Sequence, residues 1–122
     1  MNIVIFTGRV AATPKLDIHG ETRVARVRLI RNEYAGKDEN GERRERQVSV
    51  PFTAFGRLAE MLADSVLVGD QLVIHATIRN NNYTDSAGVE RYDYNYEVQD
   101  VEFGAHGQVK RQKLADKAND VD

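Results

Sequence analysis

The chain has 122 residues, 41% hydrophobic and 30% charged, the balance of one soluble globular domain rather than of two domains or a disordered chain. It contains no cysteine, which excludes disulfides, thiolate catalysis and zinc–thiolate sites. Its longest apolar runs, such as Leu72-Val73-Ile74, are far too short to cross a bilayer, and the formal net charge is −2.

The first residues, Met1-Asn2-Ile3-Val4-Ile5-Phe6, have no basic stretch and no small-residue cleavage site, so they read as part of the fold and the expected location is the cytoplasm. Val4, Phe6 and Val10 alternate on one face of a first strand, with Gly8 as a bend or bulge. Ala12-Thr13-Pro14 and His19-Gly20 bracket a short connection. The second strand places Ala25, Val27 and Leu29 inward and Arg26 and Arg28 outward, a half-buried strand with a cationic surface. Gly36 to Arg46 reads as a mobile hairpin loop around Asn40-Gly41. It holds Arg43, Arg44 and Arg46 but also Asp38, Glu39, Glu42 and Glu45, so by charge alone it is as much a solvated hairpin as a binding one. The third strand runs from Gln47 to Phe55, where Pro51 requires an edge or a bulge.

The period then changes from 2 to 3.6. Leu58, Met61 and Leu62 share one face of a short helix over 57–64. A turn at Gly69-Asp70 leads to the fourth strand, Gln71 to Arg79, and a polar loop, 80–88, leads to the last, Val89 to Phe103. Three strands, a helix and two further strands are the order of an OB-fold, an all-β, five-stranded Greek-key barrel with its one helix between strands 3 and 4. Residues 1–103 form that barrel. Residues 104–122 are expected to be a flexible polar tail, helical for at most a turn or two between Val109 and Lys117.

The ordered set Gly8-Arg9-Val10, Pro14, Ala54-Phe55-Gly56-Arg57-Leu58-Ala59-Glu60, Gly69-Asp70-Gln71-Leu72, Ile78-Arg79 and Tyr83-Thr84-Asp85 with Gly88 resembles the bacterial single-stranded-DNA-binding protein family from Asn2 to about Phe103. The resemblance implies sequence-independent binding of single-stranded DNA in replication, recombination or repair, by bases stacking on exposed rings. It carries over to Phe55, to Tyr83 in the loop before the last strand and, with a one-residue uncertainty, to Tyr34 as stacking residues. Arg57 and Arg79 match basic family positions, with Arg26, Arg28, Arg43 and Arg44 as further phosphate contacts. It also implies a homo-oligomer, a tetramer or else a dimer. Tyr92, Tyr94 and Tyr96 alternate on the last strand and read as a packing or subunit face.

The chain departs from the family pattern in several places. It has no tryptophan, and Ser49 stands near where a stacking tryptophan is usual. Asn81 and Asn82 replace basic loop positions, which predicts weaker binding with a shallower salt dependence. The sequence closes on Asn119-Asp120-Val121-Asp122 without the Pro-Phe tip that recruits replication and repair enzymes, so recruitment by that route is not expected. These departures point to a mobile-element or specialised copy, and the alternative function is an OB-fold protein-interaction module of primosomal type, acting as an assembly platform. No cofactor, metal site or catalysis is expected. His19, His75 and His106 are scattered, and no nucleophile–base or phosphate-loop pattern occurs.

Overall fold

The computed structural model describes residues 1–119. Its strands are β1 (Val4–Val10), β2 (Leu16–His19), β3 (Thr22–Lys37), β4 (Arg43–Phe55), β5 (Gln71–Asn80), β6 (Tyr83–Thr84), β7 (Glu90–Arg91) and β8 (Tyr94–Phe103). Helix α1 (Arg57–Ser65) lies between β4 and β5, and helix α2 (Gln108–Asn119) follows β8. The large sheet has the order β1-β5-β8-β4-β3-β2, and β1 also pairs with β3, which closes five strands into a barrel and leaves β2 outside on β3. The expected five strands are β1, β3, β4, β5 and β8. The short connection before β3 is instead the added strand β2, paired from Leu16↔Ala25 to His19↔Thr22.

Closure occurs where β1 meets β3 at Arg9↔Ile30 and Val10↔Leu29. Gly8 makes that approach possible: a Cβ there would lie 2.8 Å from the Ile30 carbonyl oxygen and 3.1 Å from the Leu29 Cβ. The β1–β5 register runs unbroken through Gly8, so this glycine marks a close crossing rather than a bulge. Pro51 pairs with Arg28 in an unbroken register, and the other side of β4 is bridged to β8 only at Thr53↔Glu97. The sparse pairing of β4 with β8, rather than a bulge, accommodates the proline.

The inward faces of β3 to β5 supply the core, with Ala25, Val27, Leu29, Phe52, Ala54, Leu72, Ile74 and Ala76 buried. Phe52 lies at its centre, with ring centroids 6.1 Å from both Phe6 and Tyr96. Full burial of such a ring stabilises the fold by roughly 1.5–3 kcal/mol relative to exposure. In α1 the fully buried residues are Ala59 and Leu62, while Leu58 only borders the core. The buried face is thus turned by one residue from the expected one, because small Ala59 lets the helix come close to the barrel.

The polar segment after Phe103 differs most from expectation. α2 is a 12-residue helix, and its start is fastened to the barrel. Asp70 is buried: its Oδ1 accepts the Gly107 N–H at 2.8 Å, and its Oδ2 accepts the Leu67 N–H at 3.1 Å and meets Lys110 Nζ at 2.8 Å. The same ammonium donates to the Ser65 carbonyl at the end of α1 and lies 5.8 Å from the Phe103 ring centroid. Gly107 packs so tightly that a Cβ would lie 2.4 Å from the Gly69 carbonyl carbon. The sequence reads as a flexible tail there because residues 104–122 are polar, with Gly104, Gly107 and a mixed run of Lys, Gln, Ala and Asp. A buried carboxylate supplied by the turn before β5 holds Gly107 and Lys110 at the start of the segment.

Candidate nucleic-acid interface

Alternate pairs in the β3–β4 ladder share a face, so Arg26↔Thr53, Arg28↔Pro51, Ile30↔Ser49, Asn32↔Gln47 and Tyr34↔Glu45 line the outside of the barrel, with Phe55 closing the row beside Val24. Phe55 and the Glu45 partner of Tyr34 are ten positions apart, about 33 Å along the strand. The outer face therefore carries an aromatic ring at each end and two arginines between. Phe55 is 42% exposed and Tyr34 58%, whereas Phe52 on the opposite face of β4 is fully buried. Period-2 alternation thus decides which phenylalanine serves the core and which faces solvent.

The sequence-predicted residues fall into three places. Phe55 and Arg57 lie where β4 ends and α1 begins. Arg26 and Arg28 lie between the rings, with Arg28 Nη1 donating to Ser49 Oγ at 2.9 Å. Tyr34, Arg43 and Arg44 lie on the long β3–β4 arm. Because β4 and β8 run parallel, the hairpin β6–β7 that precedes β8 projects from the same end as this arm. Tyr83 is on that hairpin, opposite Arg91.

Two of the arginines on this surface are paired with carboxylates. Arg43 lies over the Tyr34 ring at 5.2 Å, covering one of its faces, and pairs with Glu45 at 3.5 Å. Arg79 pairs with Glu97 at 3.5 Å, and Glu97 is the residue bridged to Thr53, toward the Phe55 end of the outer face. Glu97 is a component that sequence reasoning missed. Only the parallel β4–β8 pairing brings this carboxylate into the arginine row.

The asparagine-rich stretch, expected as a loop, is an ordered hairpin. Asp85 Oδ1 accepts the N–H groups of Ala87 at 2.9 Å and Val89 at 3.0 Å, and its Oδ2 accepts Arg91 Nε at 3.0 Å. The Val89 N–H and the Arg91 guanidinium hold this carboxyl below its usual range. The hairpin presents a shallow groove lined by Asn82, Tyr83, Thr84, Glu90, Arg91 and Tyr92. Tyr83 is 52% and Tyr92 73% exposed. The tyrosine stripe therefore splits: Tyr96 packs on Phe52, whereas Tyr92 joins Tyr83, because the break between β7 and β8 removes it from the alternation. Among the described residues no group of three or more His, Asp or Glu could hold a metal ion, and no helix is long and apolar enough to cross a membrane.

A closed five-stranded OB barrel with arginines and open rings along one outer face is the architecture by which small barrels hold an extended strand. The chain belongs to the single-strand binding protein family, whose pattern matches residues 1–104. It is 30% identical over 105 residues to a single-stranded DNA-binding protein of Clostridium perfringens, a match covering 84% of this chain and 65% of that relative. The chain thus spans just under two thirds of the relative's length. Its fold is also that of the solved Plasmodium falciparum SSB complex with ssDNA, with a TM-score of 0.72 at 14% identity, covering 86% of this chain and 96% of the other.

Proposed function

We propose that this protein binds single-stranded DNA without regard to sequence, by base stacking on Phe55, Tyr34 and Tyr83 and by phosphate contacts from Arg26, Arg28, Arg44, Arg57 and, more weakly, the paired Arg43 and Arg79. One observation carries the reading: a continuous outer row has exposed rings at its two ends and arginines between. Each stack contributes roughly 1–3 kcal/mol and tolerates any base, since every base has a π-face. The protein protects and orders the strand in replication, recombination or repair and performs no chemistry on it.

The reading includes assembly. Ile3, just before β1, and Ile5 on it are exposed, and Ile5 lines a groove with Val73, His75, Asp100 and Glu102. This partly apolar face on the outside of β1, β5 and β8 supports a homo-oligomer, a tetramer or else a dimer. A monomeric mass by light scattering would contradict it. Titration with oligo-dT in EDTA, followed by tyrosine fluorescence, tests the binding itself. Quenching is expected with the oligonucleotide left intact when Mg²⁺ is added. No response at low salt would refute the reading.

A further inference from the structure

We infer that α2 is a second contact for the DNA backbone, held at a set position on the barrel by the Asp70–Gly107–Lys110 latch. This inference rests on the single-strand reading above.

Charge is distributed unevenly along the chain. Residues 1–103 carry 13 basic and 16 acidic side chains, whereas residues 104–122 carry four basic and three acidic, and of these acids only Asp116 lies in the described part. In the barrel, Arg23, Arg31, Arg43, Arg79 and Arg91 each have a carboxylate partner. In α2, among the described residues, only Lys110 is so paired, and Asp116 is engaged by Gln112 Nε2 at 3.0 Å. Arg111, Lys113 and Lys117 are exposed and form no ion pair among the described residues. Three such cations within seven residues create the local positive field that a phosphate backbone seeks.

Position supports the same assignment. Leu72 pairs with Phe103, so the start of β5, the end of β8 and, through the parallel β4–β8 pairing, Phe55 all lie at one end of the barrel. α2 is anchored at that end, on Gly69, Asp70 and Ser65. A strand passing Phe55 and Arg57 leaves the barrel beside it. Lys113 and Lys117 follow Lys110 at i+3 and i+7 along one stripe, about 6 Å apart along the axis, so that each meets a different phosphate of an extended strand. The latch spends Lys110 on anchorage and leaves the other three cations for the ligand.

The test compares wild type with the variant R111Q/K113Q/K117Q. Both are titrated with oligo-dT of about 6 nucleotides, which fits within one barrel, and of about 30, which extends beyond it. For the long oligonucleotide the slope of log Kobs against log salt should become shallower by about 2, three phosphates at roughly 0.7 each, and the short one should bind as before. G107V keeps every charge but drives a side chain into the Gly69 backbone; it should also weaken the long oligonucleotide selectively, with the tyrosine quench on the short one retained. A wild-type slope in the triple variant would overturn the inference, as would a loss of oligomeric mass with binding unchanged, which would make α2 a subunit contact. If wild type bound neither oligonucleotide, the single-strand reading itself would fail.

Discussion

Replacing Glu97 with glutamine should make this protein a tighter binder. Glu97 Oε2 lies 3.5 Å from Arg79 Nε, and its backbone is bridged to Thr53, so the carboxylate sits among the side chains a DNA backbone would cross. The Arg79 side chain is 61% exposed and that of Glu97 34%, so solvent screens the pair and its loss should cost well under 1 kcal/mol of stability. The gain in binding is larger. Removing the carboxylate frees one arginine for a phosphate, and each neutralised phosphate of a single strand steepens the salt slope by about 0.7. Between 1 M and 0.1 M salt that is about a fivefold gain in Kobs. Fluorescence titrations across a salt series measure both quantities. Arg79→Gln supplies the second half of a double-mutant cycle: it should matter little in wild type and more beside Glu97→Gln, because only there is the guanidinium free. An unchanged slope in Glu97→Gln, or equal effects of Arg79→Gln in both backgrounds, would refute the reasoning.

The two phenylalanines of β4 should separate by assay. Phe52→Ala should cost about 3–5 kcal/mol in denaturant unfolding, and Phe55→Ala should leave stability near wild type but remove roughly 1–3 kcal/mol of oligo-dT affinity. Asp85→Ala removes the acceptor that orders β6–β7 and should weaken DNA binding through Tyr83 with little change in thermal midpoint; loss of global fold would contradict it. The latch should respond to acid. Burial raises the Asp70 carboxyl, but Lys110 and the N–H groups of Gly107 and Leu67 outweigh it and hold it below its ordinary value of 3.8. Its folded value is the lower one, so its stabilisation is complete above pH 3.8 and is lost as pH falls below that toward the folded value. The Gly107 amide resonance should report release of α2 in that acid window. In Asp70→Asn this acid response should be absent, and its persistence there would assign the transition to another carboxylate.

Much of this protein was legible in its residues because strand patterning is local. Alternation placed Val27 and Leu29 inside and Arg26 and Arg28 outside, and the single change of period located α1 between the third and fourth barrel strands. The same alternation distinguishes Phe52 from Phe55, since adjacent residue parity decides which face of β4 each occupies. What required tertiary structure was every juxtaposition across the chain. Glu97 enters the arginine row only through a parallel strand pairing, and Tyr92 leaves the tyrosine stripe only because the chain breaks between β7 and β8. Gly107 and Lys110 look like parts of a solvated tail until Asp70, 37 residues earlier in the chain, is found beneath them. Local pattern records which side chains seek water and which avoid it. A buried ion pair between distant segments leaves no periodic trace, and its stability depends on desolvation and geometry that exist only once the barrel has closed.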